Sequence, residues 1–236
     1  MEFPQDLMEG VLIKRYKRFL ADVEMSDGRI VTAHTPNTGS MKGCAEPGMR
    51  VWLSDSGNAK RKYPLGWELV EVFPGVRVGI NTGLSNRLVQ EAIETGTIVE
   101  LQGYNTIRRE VRYGKENSRI DLLLERRGGQ FCYVEVKNVT LVDGECAYFP
   151  DAVTARGTKH LRELAEMVNE GHRAVIFYCV QRDDVIEVRP ADDIDPEYGK
   201  TLRQSLKKGV EALAYSAEVT PQHVCLRKML PIICPS

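Results

Sequence analysis

The sequence has no run of roughly 18 uncharged apolar residues, so no stretch of it reads as a membrane-spanning helix. Its opening Met-Glu-Phe-Pro-Gln-Asp lacks the basic segment and apolar core of a secretory leader, and the expected location is the cytoplasm. An excess of charge is missing too. Lys and Arg number 32 against 33 Asp and Glu, a formal net charge of −1, so any hold on a polyanion must come from locally concentrated cations. The six cysteines, at 44, 132, 146, 179, 225 and 234, contain no C-x-x-C pair, and Cys132 and Cys179 sit inside apolar strand-like runs. They read as thiols, not as a disulfide set or a zinc site. There is no G-x-x-x-x-G-K-[ST] loop, no Ser/His/Asp elbow and no H-E-x-x-H helix, which removes NTPase, esterase and zinc-protease readings.

What is present is 236 residues with 42% hydrophobic and 28% charged content, enough to bury one large core or two modest ones. Residues 11–80 alternate apolar and polar positions in short runs, 11–23, 30–35, 50–54 and 67–72, punctuated by Asp27-Gly28, Pro36-Asn37-Thr38-Gly39, Pro47-Gly48 and Ser56-Gly57. About five strands with tight turns predict a small closed barrel, OB-like in size. The pattern then changes. Leu84, Leu88, Glu91 and Ala92 stand at helical spacing over 84–94, with Ser85 as N-cap and Gly96 as stop. Strands follow over 106–113, 119–125 and 131–139, then a helix over 158–169, a buried strand over 174–180, a helix over 196–208 and a strand over 210–218. The predicted organisation is an OB-like β-barrel over 1–80 and an α/β domain over 81–236.

The chemistry-bearing signal is Ser118-Arg119-Ile120-Asp121 followed by Glu135-Val136-Lys137 on the next strand. Side chains alternate along a strand, so Glu135 and Lys137 share a face, and a hairpin around Gly128-Gly129 brings Asp121 to it. A hard cation such as Mg²⁺ or Mn²⁺ needs carboxylates plus carbonyl or water oxygens, which Asp121, Glu135 and the Val136 carbonyl supply, with Glu91 as a further carboxylate from the preceding helix. Lys137 then stands beside the water that attacks a phosphodiester. Taken alone, an acid and a base two apart on a strand more commonly form a solvated face.

The order of elements sharpens the reading. An acid opening a hairpin and E-x-K closing it before a helix resembles the PD-(D/E)XK nuclease superfamily, with its αβββαβ core. Over nearly its full length the chain is similar to the sugar fermentation stimulation protein A family. The likeness is carried by the stretch 12–22 (Leu-Ile-Lys-Arg-Tyr-Lys-Arg-Phe-Leu-Ala-Asp), by Pro36-Asn37-Thr38-Gly39, by Lys60-Arg61-Lys62-Tyr63-Pro64, by Tyr113-Gly114, and by Ser118-Arg119-Ile120-Asp121. It continues in Tyr133-Val134-Glu135-Val136-Lys137 and in 148–157 (Tyr-Phe-Pro-Asp-Ala-Val-Thr-Ala-Arg-Gly). The resemblance implies an N-terminal OB-like domain, a restriction-endonuclease-like C-terminal domain, non-specific DNA binding and a regulatory part in maltose metabolism. It also implies metal ligands at Asp121 and Glu135, the superfamily lysine at Lys137, and a helical glutamate at Glu91.

Two basic stretches interleave cations with aromatics, Lys14, Arg15, Tyr16, Lys17, Arg18, Phe19 and Lys60, Arg61, Lys62, Tyr63. They suit a groove that holds phosphates while bases stack on rings, with Tyr16 the better stacking candidate, or equally an exposed basic strand whose aromatics turn inward. Arg156 and His160, one helical turn apart, are candidates to reach a scissile phosphate from the helix after Lys137, though such residues more often merely decorate a helix. Pro36-Asn37-Thr38-Gly39 reads as a turn set by backbone geometry. Two functions stay open: a metal-dependent nuclease on DNA or RNA, and a DNA-binding regulator that keeps the nuclease fold without cleaving.

Overall fold

The computed structural model describes residues 1–58 and 60–235. The alternating N-terminal runs become β1 (Met8–Tyr16), β2 (Leu20–Met25), β3 (Ile30–His34), β4 (Arg50–Asp55), β5 (Leu65–Phe73) and β6 (Val76–Gly79). They hydrogen-bond in the order β3-β2-β1-β4-β5-β6, and one parallel pairing, His34 with Gly66, joins β3 back to β5. Five strands thereby close into the OB-like barrel, and β6 extends along β5. The inward residues, among them Leu12, Val23, Val51, Leu53, Trp67, Val70 and Val78, form a core of their own. The Trp67 indole donates to the Leu69 carbonyl at 2.8 Å, so the largest buried ring brings no unmet polar group with it.

The run over 11–23 is not one strand. Lys17 and Arg18 have φ values of 50° and 65°, and β1 turns directly into β2 there. The closing pair Tyr16–Leu20 leaves a three-residue turn whose first two residues take the left-handed region, which Asn-Gly adopts with less strain than Lys-Arg. Periodicity alone does not reveal the turn because it lacks Gly and Pro.

Beyond the barrel a one-turn helix over Thr82–Leu84 leads into α1 (Ser85–Glu94). Then come β7 (Thr106–Tyr113), β8 (Ser118–Arg126), β9 (Gln130–Val139), β10 (Leu141–Asp143), β11 (Cys146–Phe149) and α2 (Ala155–Asn169). The chain continues through β12 (Arg173–Val180), β13 (Glu187–Pro190), α3 (Pro196–Lys207), β14 (Glu211–Val219) and β15 (Val224–Met229). The main sheet runs β15-β14-β12-β9-β8-β7, with β9, β12 and β14 parallel and the remaining pairs antiparallel. A small sheet, β10-β11-β13, lies beside it. The apolar stretch Ala174–Val180 occupies the centre because both faces are covered: α1 packs on Leu122, Val134 and Phe177, while α2 and α3 cover Ile176, Tyr178 and Ala214.

Three details differ from the sequence reading. Ser85 is the first residue of α1 instead of its side-chain cap, and its hydroxyl is directed at Asn138. Strands β6, β10, β11, β13 and β15, three to six residues long, are additional to the strands the sequence pattern predicts. The helix over 158–169 starts earlier, at Ala155. Gly96, at φ +78°, stops α1 as expected. No helix among the described residues is long and apolar enough to cross a membrane.

The turn at Lys17-Arg18 generates a prediction. Replacing the pair by Asn-Gly should stabilise the fold by about 1 kcal/mol, raising the midpoint of thermal unfolding by roughly 2–4 °C in calorimetry; an unchanged or lower midpoint would show that the turn carries no strain.

Candidate active site

The site begins where two strands part. β8 and β9 pair from Arg126 with Gln130 up to Leu122 with Val134, and the ladder stops one step before Asp121 and Glu135. Asp121 fills the opening: its Oδ2 accepts from the Val136 amide at 2.8 Å, and its Oδ1 accepts from Asn86 Nδ2 at 2.8 Å. Glu135 and Lys137 project together from β9, as strand alternation requires. Glu135 is 2% exposed. Its Oε1 accepts from Lys137 Nζ at 2.8 Å and from the His160 ring, while Oε2 is shielded from solvent and has no hydrogen-bond partner.

His160 arrives on α2, whose start is fixed by a chain of caps. Thr154 Oγ1 accepts from the Gly157 amide at 3.0 Å, and the Thr154 amide donates to Asp195 Oδ2 at 2.8 Å. Asp195 Oδ1 in turn accepts from the Tyr198 amide at 3.0 Å, so one carboxylate anchors the first turns of α2 and α3 together. A Cβ at Gly157 would lie 2.8 Å from Thr154 Cγ2 and 3.2 Å from the Tyr198 ring, which is why this turn takes glycine. One turn into α2, Arg156 Nε donates to His160 Nε2 at 3.3 Å. The proton of the imidazole therefore sits on Nδ1 and goes to Glu135. Arg156 is exposed, and its terminal nitrogens remain available to an anion.

The two carboxylates are held apart in their titration. Burial, and then the charge of Glu135, push the Asp121 carboxyl up to about 6 despite the Val136 amide, Asn86 and Lys137. Burial alone would raise Glu135 as well, but its bonds to His160 and Lys137 reverse the direction and hold it below the usual carboxylate range. Glu135 is thus the standing anion and Asp121 the group that exchanges a proton near neutrality.

Not every predicted residue joins this cluster. Glu91 faces away: its Oε1 is 2.8 Å from the Met1 ammonium, and it is the α1 residue Asn86 that reaches Asp121. Helical spacing gave the correct helix but not which of its polar residues turns to the site. Arg15 is not free for phosphate either. Its guanidinium donates to the carbonyls of Arg18, Asn37, Gly39 and Ser40 and pins the Pro36–Gly39 loop. Lys17 and Arg18 lie at the exposed hairpin turn, and Lys60, Arg61 and Lys62 in the loop between β4 and β5, all of them exposed. Lys14 Nζ and Lys62 Nζ each stand 5.5 Å from the ring centroid of a neighbouring tyrosine, Tyr16 and Tyr63 respectively. Tyr16 donates to Asp22 at 3.0 Å.

Residues without a motif of their own complete the site. Asn138 Oδ1 accepts from Ser85 at 3.0 Å and from Gln181 Nε2 at 2.6 Å, and the backbone of Gln181 accepts from Gly79 of the barrel at 2.8 Å. The Pro36–Gly39 loop meets Asp151, whose Oδ2 accepts from the Ser40 amide at 2.8 Å. A Cβ at Gly39 would come within 2.5 Å of that oxygen, so the loop is a close joint between barrel and sheet domain as well as a turn. A cleft of ≈ 200 Å³ runs along this joint beside β9, lined in part by Asn37, Thr82, Asn138 and Asp151.

The metal-free chain should show one Asp carboxyl titrating near pH 6 by carbon-13 NMR, and Lys137→Met should raise that value by removing the cation that favours the anion. An Asp121 titration in the ordinary range would contradict the buried pair. Between the unfolded value of about 3.9 and the folded value the native chain holds a proton the unfolded chain has lost, so this group's contribution to stability falls as pH rises through that window.

Comparison with known proteins agrees with the architecture. Residues 13–80 match the family described as SfsA N-terminal OB domain, and residues 83–223 the family described as sugar fermentation stimulation protein RE domain. The sugar fermentation stimulation protein homolog of Geobacter metallireducens is 63% identical over 233 residues, covering 99% of this chain and 100% of that protein. The homolog of Thioalkalivibrio sulfidiphilus is 60% identical over 233 residues, covering 98% of each. The solved structure of Pyrococcus furiosus SfsA in complex with Ca²⁺ superposes with a TM-score of 0.88 at 29% identity, covering 99% of this chain and 98% of that one. The chain therefore belongs to the sugar fermentation stimulation protein family.

Proposed function

We propose that this chain is a divalent-metal-dependent nuclease acting on DNA, with Asp121 and Glu135 as the metal ligands and Lys137 as the charged group beside them. The observation that carries the reading is the Oε2 of Glu135, a buried carboxylate oxygen with no partner, next to a second carboxylate at the mouth of a parted hairpin. An anionic oxygen left bare in the interior is costly unless a cation or a proton meets it. Oxygen donors suit Mg²⁺ or Mn²⁺, and the Ca²⁺ complex of the Pyrococcus relative supports a hard divalent cation in this family. Such a metal, when bound, lowers the pKa of its water and neutralises charge on the scissile phosphate.

The chain's own residues supply the rest. Lys137 Nζ, held 2.8 Å from Glu135, places a positive charge and proton donors where phosphate charge accumulates. His160 holds Glu135 in one orientation, acting as a positioning residue because it is 3% exposed and bonded on both ring nitrogens. Arg156 offers its outer guanidinium face to a phosphate oxygen. Lys14, Lys17, Arg18, Lys60, Arg61 and Lys62 line the barrel's exposed side and hold the polymer backbone, which suits sequence-independent binding. The second reading, a DNA-binding regulator without turnover, draws on one feature: Lys137 and His160 already compensate the charge of Glu135 without a metal.

Purified chain incubated with single- and double-stranded DNA and RNA should cleave DNA with Mg²⁺ or Mn²⁺ and stop with EDTA. Glu135→Ala and Lys137→Ala should each lower the rate at least 100-fold, on the scale of losing one preorganised charge-stabilising group. Binding without cleavage on every substrate would leave the regulator reading. Lys14, Arg18 and Lys62 changed together to Ala should weaken DNA binding and reduce the slope of log K against log salt by up to about 3. Arg15→Ala should instead lower thermal stability with little effect on that slope.

A further inference from the structure

A cluster of ligand-type side chains lies three strands away from Glu135, on the β14–β15 hairpin, a lateral offset of about 14 Å at ordinary strand spacing. Glu218 and Cys225 face each other across the two strands, and His223 ends the turn between them. Among the described residues these three form the one set of three or more His, Cys, Asp or Glu side chains whose ligand atoms all lie within 4.8 Å of one another. The separations match a tetrahedral site. Zinc bonds of about 2.3 Å to sulfur and 2.0–2.1 Å to nitrogen or oxygen imply edges of about 3.5 Å between S and O and about 3.3 Å between N and O. Here Cys225 Sγ lies 3.6 Å and His223 Nε2 3.4 Å from the same oxygen, Glu218 Oε2.

The histidine is set up as a ligand. Thr220 Oγ1 accepts from the His223 amide at 3.0 Å and lies 3.2 Å from the ring Nδ1, within hydrogen-bond distance of it. A hydroxyl beside the inner ring nitrogen is the usual outer support of an imidazole that binds metal through the other. His223 Nε2 is shielded from solvent and has no hydrogen-bond partner. One group competes: Arg227 Nη2 is 2.8 Å from Glu218 Oε2, but its side chain is 64% exposed and can swing into water.

We propose that Glu218, His223 and Cys225 bind one Zn²⁺ ion, with water in the fourth position. A thiolate and an imidazole select a borderline-soft ion over Mg²⁺ or Ca²⁺. Binding forms the Zn–S, Zn–N and Zn–O bonds and releases the Cys225 thiol proton to solvent, with no change of oxidation state. The site also ties down the start of the chain, since Glu2 bridges to His223 and the Val224 amide donates to the Met1 carbonyl at 3.0 Å.

The test titrates Co²⁺ into the metal-free full-length chain. One equivalent should give the near-ultraviolet thiolate-to-cobalt band and strong visible bands of a tetrahedral centre, and Zn²⁺ should bleach both. Cys225→Ser should lose the thiolate band, while Cys146→Ser, Cys234→Ser and Glu135→Ala keep it. Thr220→Val should weaken Zn²⁺ binding about tenfold, and Arg227→Ala, which removes no ligand, should tighten it. Zn²⁺ at a hundredfold excess over its dissociation constant should raise the native melting temperature by about 5 °C or more, an increase absent in His223→Ala. No thiolate band in the native chain, a band that survives Cys225→Ser, or weaker binding by Arg227→Ala would overturn the assignment.

Discussion

One hydrogen bond organises the sheet domain: the Asp121 carboxylate receiving the Val136 amide where β8 and β9 separate. Ordinary pairing would have Asp121 and Glu135 face each other within the ladder as two neighbouring anions. Replacing a backbone acceptor by a side-chain carboxylate keeps the Val136 N–H satisfied while the strands diverge. Past that point β9 continues beside β12, pairing with it over Cys132–Val139. Both carboxylates are then buried close together, and their titrations move in opposite directions because burial and the Glu135 charge outweigh the amide bonds at Asp121, while bonds from a histidine and a lysine outweigh burial at Glu135.

The hairpin, the carboxylate pair and the lysine were legible because each depends on a short-range rule. Strand alternation puts Glu135 and Lys137 on one face, and Gly128-Gly129 marks the turn that brings Asp121 back. The buried strand at Ala174–Val180 was legible from its uninterrupted apolar run. Glu91 was not, because helical period tells which side of α1 is apolar but not whether Asn86 or Glu91 is nearer a strand that lies elsewhere in the chain. Arg15 failed as a phosphate contact for a related reason. Three carbonyl oxygens in a loop more than twenty residues away, together with that of Arg18, occupy its terminal nitrogens, and nothing in the local sequence announces them. The spacing of Arg156 and His160 puts them on one helix face, but the depth of His160 and its bond to Glu135 depend on how α2 lies against β9.

The joint between barrel and sheet is made of small polar residues that carry no motif. Gln181 follows the central strand β12 and touches Asn81, Ser85 and Asn138, joining the end of the barrel, the start of α1 and the strand of the E-x-K residues. The Gln181 side chain lies so close to Gly79 that this position has no room for a side chain of its own. Amide side chains suit this place because they donate and accept at once without bringing charge near Glu135.

The same joint has a mechanical meaning at Asp151. This carboxylate holds the barrel's Ser40 amide, and only three residues later Thr154 caps the helix that carries Arg156 and His160. A tether so short cannot absorb a shift of the barrel by uncoiling. The position of the barrel's Ser40 and the start of α2 are therefore held in one short span of chain, as two rails are held by a single sleeper.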